Sequence, residues 1–185
     1  MPFNKQTKIA VMLVIAGIIG LFLTGTEKDK QQIVKHHFTY QAKDYTKEYQ
    51  QEYCLAQNIY YEARGSTLAD RAAVADVTLN RVQTSGFPDT ICGVVKQAKI
   101  DIHGKPIKNK CQFSWYCDGK QKEIKDQEAW IEAKKLAWNI IHNNEHRGIT
   151  GGATHYHTAK IKPYWRKAFT KVAQIGAHIY YKQKA

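Results

Sequence analysis

The sequence has no Asp or Glu after Glu145, while Arg147, Lys160, Lys162, Arg166, Lys167, Lys171, Lys182 and Lys184 all follow it. It also has no Cys-x-x-Cys pair, which speaks against a four-thiolate zinc site. No helix-turn-helix, zinc-finger or RNA-binding signature is present, so a nucleic-acid reader is not indicated. Internal repeats and low-complexity segments are absent too, which sets aside solenoids and disordered arrays. Finally, no small-x-small cleavage site closely follows the apolar N-terminal run, so a removable signal peptide is disfavoured.

What is present starts with charge. A formal net charge of +12 on 185 residues favours an anionic polymer: nucleic acid, an acidic membrane surface, or the acidic glycans and teichoic acids of a wall. Charge alone does not choose among these, and a solvated basic face explains it as well. Lys5 and Lys8 precede an uncharged stretch from Ile9 to Thr26, with Glu27 behind it. Its apolar part, Ile9 to Leu23, is a little short of the roughly 20 residues a bilayer needs. Residues 1–26 therefore read as a signal-anchor, with the N-terminus inside and the remainder exported to the periplasm or wall side.

Residues 27–51, rich in Lys, Gln, Asp and Glu, read as a polar tether, irregular or partly helical, and residues 52–185 as one catalytic domain. In an exported chain, Cys54, Cys92, Cys111 and Cys117 suit disulfides, with three pairings open. Leu55, Ala56, Ile59, Tyr60 and Ala63 fall at helical spacing, and Arg64-Gly65 supplies a stop. Thr67, three residues before Asp70, starts a second helix of small residues that ends near Ser85-Gly86-Phe87-Pro88. Asp89–Gln97 predicts a short helix, and a polar loop runs on through Lys110. Ala129 to Ile141 trace one face of a further helix, stopped at Arg147-Gly148. Ala153–Thr158 predicts a strand, and Lys171–Tyr181, with a turn at Gly176, predicts extended structure or a hairpin. Helices first and short antiparallel strands late make an α+β domain.

Glu62 sits on the last turn of the apolar helix, where burial would raise its pKa into the range of a general acid. An ion pair with Arg64 is the bland alternative. The order of motifs decides between them. Tyr61-Glu62-Ala63-Arg64-Gly65, Ala73-Val74-Ala75, Leu79-Asn80-Arg81-Val82, Phe87-Pro88-Asp89-Thr90 and Cys111-Gln112-Phe113-Ser114 follow one another in the chain. Gly152-Ala153-Thr154-His155-Tyr156-His157, Pro163-Tyr164-Trp165 and Ile175-Gly176-Ala177-His178 come after them. Together they resemble the successive motifs of the SleB-type cell wall hydrolases, the family that includes spore-cortex-lytic enzymes.

The resemblance implies a lysozyme-like fold and a glutamate acid, carried onto Glu62, that cleaves the glycan strand of peptidoglycan as a lytic transglycosylase. Where the family often has a second acidic residue after the Arg-Gly, Ser66 stands here. Asp70, Asp76 and Asp118 are the remaining candidates for a second carboxylate, Asp76 better suited to capping or pairing. Arg64, Gln112, Ser114, His155, Tyr156, His157 and Trp165 are expected to bind substrate, with Phe113 and Trp115 beside them. His155 and His157 alternate on a strand and so share a face.

No metal and no cofactor is called for, and the expected state is a monomer acting on peptidoglycan with no nucleic acid partner. Wall remodelling, spore germination and phage-driven lysis are all open as its occasion. Two rivals remain. His142-Asn143-Asn144-Glu145-His146 spells the His-x-x-Glu-His pattern of a zinc peptidase class, with His155 or His157 as the missing ligand. The other rival is a membrane-anchored protein that binds wall polymer without cleaving it.

Overall fold

The computed structural model describes residues 26–184, so the apolar N-terminal run lies outside them. Among the described residues no helix is long and apolar enough to cross a membrane. The chain divides into two compact units, Met1–Lys47 and Glu48–Ala185. Helix α1 (Glu27–Ala63) contributes to both. It opens on a reciprocal cap, Thr26 Oγ1 accepting from the Asp29 backbone N–H at 3.3 Å and Asp29 Oδ2 from that of Thr26 at 3.2 Å. The residues read as a polar tether are thus helical throughout. Their Lys, Gln and Glu have good helix propensity but no apolar stripe to betray it.

Within Glu48–Ala185, α2 (Leu68–Val82) is capped by Thr67, whose Oγ1 accepts from the Asp70 N–H at 3.2 Å. Ala72, Ala73, Val74, Ala75 and Val77 are wholly buried, so α2 has apolar contacts all round. Ala75 joins the larger core with Leu55, Ile59 and Tyr60 of α1, and with Trp130, Leu136 and Ile140 of α4 (Gln127–Asn143). Ala73 and Val77 face a smaller core around Ala153 and Tyr180. Small side chains let backbones approach from both sides, and that is why α2 can serve two cores.

Helix α3 is short (Ile91–Val95) and capped by Thr90. The disulfide Cys54–Cys92 joins it to α1, and Cys111–Cys117 closes a six-residue separation further on. Helix α4 ends at Asn144, in left-handed conformation at φ 56°, before the expected stop at Arg147-Gly148. Asn tolerates that conformation and so ends the helix as a glycine would.

The stretch read as a polar loop contains the hairpin β1 (Ala98–Ile100) and β2 (Pro106–Cys111). Its residues are mostly exposed, so no alternation of apolar and polar side chains marks it. The turn is held instead by Asp101 Oδ1, which accepts from the N–H groups of His103 and Lys105, both at 2.9 Å.

The late strands are β3 (His155–Thr158), β4 (Phe169–Ile175) and β5 (His178–Gln183), in the antiparallel order β3-β5-β4. The β4–β5 connection is Gly176-Ala177, with Ile175 paired to His178. Gly176 has φ 50°, and a Cβ there would overlap the Asp70 carboxylate. Gly176→Ala is therefore expected to cost about 2 kcal/mol or more, from left-handed strain plus the clash. Thermal denaturation reads this as a lowered Tm, and an unchanged Tm would mean that the turn relaxes freely.

Candidate active site

Glu62 closes the C-terminal turn of α1, one residue before buried Ala63. It lines a cleft of about 320 Å³ whose walls come from three places: α1 and α2, the segment after β2, and the start of β3 with Trp165. Gln112, Ser114, His155, Tyr156 and Trp165, all expected substrate contacts, share this cleft with Glu62, and Phe113 also lines it. Arg81, Cys111 and Phe113 complete the wall.

The electrostatics around Glu62 pull in two directions. Burial dominates and raises its pKa above the ordinary carboxylate value. Against it, Tyr156 donates its hydroxyl to Glu62 Oε2 at 2.9 Å, and the charges of Arg81 and His178 also favour the anion. Burial thus shifts the balance toward the protonated carboxyl, while the anion keeps a donor and a cation beside it.

Arg81 also lines the cleft, and the Leu79-Asn80-Arg81-Val82 motif by itself assigns it no role. It is 3% exposed, donates from Nε to the Thr154 carbonyl at 2.8 Å, and leaves Nη1 without a hydrogen-bond partner. Its guanidinium lies over Phe113 at 4.9 Å and Phe87 at 5.6 Å. Burial lowers its pKa to about 10, which leaves it charged at neutral pH. A buried arginine cannot be told from a surface one by spacing, so only its place in Leu79-Asn80-Arg81-Val82 pointed to it.

His155 is packed against the rings of Phe169 at 4.2 Å and Trp165 at 5.8 Å. Burial, helped by the Arg81 charge, lowers its pKa to about 4, so it is a neutral wall of the cleft. His157 shares that face, as its strand alternation requires, and also meets Trp165, at 5.6 Å. It is buried, however, with Nε2 3.0 Å from the Tyr181 hydroxyl, and does not line the cleft.

Arg64 also lies elsewhere: two positions beyond Glu62 is roughly 200° around the helix. It stacks over Tyr60 at 5.0 Å and lines a separate cleft with Tyr61 and Trp115. Trp115 is 8% exposed, stacked on Tyr61, and donates its indole N–H to Asn58 at 3.0 Å. The ion pair between Arg64 and Glu62, the bland alternative to a catalytic acid, is not formed.

None of the other candidate carboxylates reaches the Glu62 cleft. Asp70 is buried beside His178 and Thr67. Asp76 accepts from Gly148 and Thr150, and Asp118 pairs with Lys122. Among the described residues lining the cleft, Glu62 is the single carboxylate. The His-x-x-Glu-His string does not assemble either. His142 meets Glu52 at 2.7 Å, Glu145 accepts from the Asn139 amide, and His146 lies in a turn at φ 59°. The group of possible metal ligands found among the described residues is Glu48, Glu52 and His142, without Glu145 or His146.

Residues 65–181 match the model of the Cell Wall Hydrolase family. The chain belongs to the cell wall hydrolase family. The matched span starts just after Glu62, so the role of that residue rests on its surroundings and on the motif it heads. The hydrolase is 30% identical over 131 residues to the spore cortex-lytic enzyme of Bacillus cereus, covering 69% of its own length and 42% of the relative's. With the spore cortex-lytic enzyme of Halalkalibacterium halodurans it shares 29% over 129 residues, 68% of this chain and 33% of that one. It thus spans less than half the length of these relatives.

Two solved structures cover more. The catalytic domain of Bacillus cereus SleB aligns with a TM-score of 0.51 at 29% identity, over 72% of this chain and 91% of that one. The catalytic domain of the germination-specific lytic transglycosylase SleB from Bacillus anthracis aligns with 0.54 at 28%, over 71% and 93%. The hydrolase therefore has the α+β fold of the SleB catalytic domain.

Proposed function

We propose that this hydrolase cleaves the glycosidic bond between N-acetylmuramic acid and N-acetylglucosamine in peptidoglycan, as a lytic transglycosylase with Glu62 as acid and base. The observation that carries the reading is a lone, buried carboxyl. An ordinary glycosidase uses two carboxylates flanking the bond, and this cleft offers one. One suffices when the sugar supplies its own nucleophile.

Glu62 gives its proton to the glycosidic oxygen as the bond from C1 breaks, and the departing sugar leaves as an alcohol. The 6-hydroxyl of the muramic ring attacks C1 and closes a 1,6-anhydro bridge. Its proton passes to the Glu62 carboxylate and restores the acid. Between these transfers the anion rests on the Tyr156 hydroxyl and on the Arg81 charge. The SleB relative described as a lytic transglycosylase supports the same assignment. The apolar N-terminal run would hold the enzyme at a membrane with its domain on the wall side, and the basic C-terminal portion would draw it to anionic wall polymer.

Mass spectrometry of digested peptidoglycan tests the reading. Anhydro-muropeptides are expected; reducing ends would show hydrolysis, and free peptides would revive the zinc-peptidase alternative.

Tyr156→Phe gives a second check. Removing the donor leaves the Glu62 anion less supported, so its pKa rises further. The protonated acid then persists to higher pH, and the alkaline limb of the rate profile should move upward while the maximal rate falls. A limb that moved downward would contradict the role given to Tyr156.

A further inference from the structure

A second cleft, of about 460 Å³, lies beside the catalytic one and is not used by the chemistry above. The two clefts are walled by neighbouring residues on the same two segments. On α1, Glu62 lines the first and Tyr61 and Arg64 the second; after β2, Ser114 lines the first and Trp115 the second. The two clefts thus draw their walls from the same two segments, with the Tyr61–Trp115 stack on the side of the second.

The cleft carries more positive than negative charge, and its cations are not equivalent. Lys122 is paired with Asp118 at 2.6 Å and Lys125 with Glu123 at 3.8 Å. Arg64 and Lys120 line the same cleft and their side chains form no ion pair among the described residues, although Asp118 accepts from the Lys120 backbone N–H at 2.8 Å and feels its charge. Arg64 is pre-positioned by stacking over Tyr60. The Tyr60 hydroxyl in turn accepts from the Asp126 N–H at 3.1 Å, which ties down the far end of the loop bearing Lys120. The near end is tied by Cys111–Cys117 and by Asn109 donating to the Cys117 carbonyl at 3.0 Å. Two cations outside any ion pair, on a braced frame beside the Tyr61–Trp115 stack, suit a carboxylate attached to a short peptide.

Given the proposed substrate, such a group is close at hand. Every muramic ring that bears a stem carries it on its lactyl ether, so a ring held at Glu62 projects a carboxylate-bearing peptide away from the glycan strand. We propose that the second cleft binds this peptide stem, with Arg64 and Lys120 receiving its carboxylates and Tyr61 flanking the chain. It is a specificity site that rests on the glycan-cleaving reading.

The test measures binding to the non-cleaving Glu62→Gln chain, with the Trp115 indole N–H as NMR reporter. The probes are a purified disaccharide–peptide muropeptide and the same disaccharide stripped of its peptide. The stem-bearing probe is expected to bind about tenfold more tightly. Adding Arg64→Ala and Lys120→Ala, both exposed positions, should bring the two dissociation constants together. Equal affinity for both probes before those substitutions, or a difference that persists after them, would overturn the proposal. Because no cleavage is read, the result is independent of which nucleophile attacks; failure of the glycan-cleaving reading would show separately, as the wrong products from the unsubstituted enzyme.

Discussion

Glu62→Gln is expected to lower glycan cleavage by roughly 10²–10⁴-fold, the usual contribution of a positioned acid or base, with the fold preserved. Gln fills the same volume and its amide oxygen still accepts from the Tyr156 hydroxyl, so the cleft keeps its shape. What it lacks is a transferable proton. The same substitution should stabilise the protein at neutral pH. Burial raises the Glu62 pKa above its unfolded value, so folding favours the protonated form. Any stability from that group is fully present below the unfolded pKa and is lost as pH rises through the folded one. At neutral pH an ionised, buried Glu62 is a cost that Gln removes, whereas in acid the two proteins should converge. A higher Tm for Glu62→Gln at pH 7, narrowing below the ordinary value of 4.5, checks the sign. Equal Tm values throughout would mean that the site does not desolvate Glu62.

Asp76→Ala is expected to cost about 3–5 kcal/mol, the range for removing one member of a buried, charged network. Asp76 is 1% exposed, on the wholly buried middle of α2. Its Oδ1 accepts from the Gly148 N–H at 2.9 Å and from Arg147, and its Oδ2 from the Thr150 N–H at 3.1 Å and hydroxyl at 2.6 Å. One carboxylate therefore organises the whole connection from α4 to β3. Nearby, Asn80 donates to Thr150 Oγ1 and to the Ala153 carbonyl at 2.9 Å. Alanine strands these donors in a dry interior. Against a total stability of about 5–15 kcal/mol, the loss should lower Tm by roughly 10 °C or more. It should also loosen the start of β3, where His155 and Tyr156 line the cleft. A fall of only a few degrees would show that water replaces the carboxylate.

Much of this arrangement is legible in the sequence because it depends on local signals. The apolar spacing of Leu55, Ile59 and Ala63, the Thr67 cap and the Gly176 turn each act within a few residues, and each element stands where they place it. Other features depend on what a residue meets at a distance. The β1–β2 hairpin is exposed on most positions and so has no pattern to read. Disulfide pairing is a matter of which helices meet, and the union of Cys54 with Cys92 follows from α3 packing on α1.

The site divides in the same way. Motif order points to Glu62, Gln112, Ser114, His155, Tyr156 and Trp165, and these share a cleft. Arg64 leaves it because helical geometry turns the side chain to another face, and His157 because Tyr181 and Trp165 cover it. Arg81 enters it because Phe87 and Phe113 shelter a cation whose burial no local pattern records.

The most direct measurement follows the Glu62 carboxyl itself, by ¹³C NMR in protein labelled at glutamate side chains, with the resonance assigned by its loss in Glu62→Gln. The expected result is a midpoint above the ordinary 4.5, coincident with the alkaline limb of the cleavage rate. A midpoint at or below the ordinary value, or a rate limb that titrates independently of it, would contradict Glu62 as the acid.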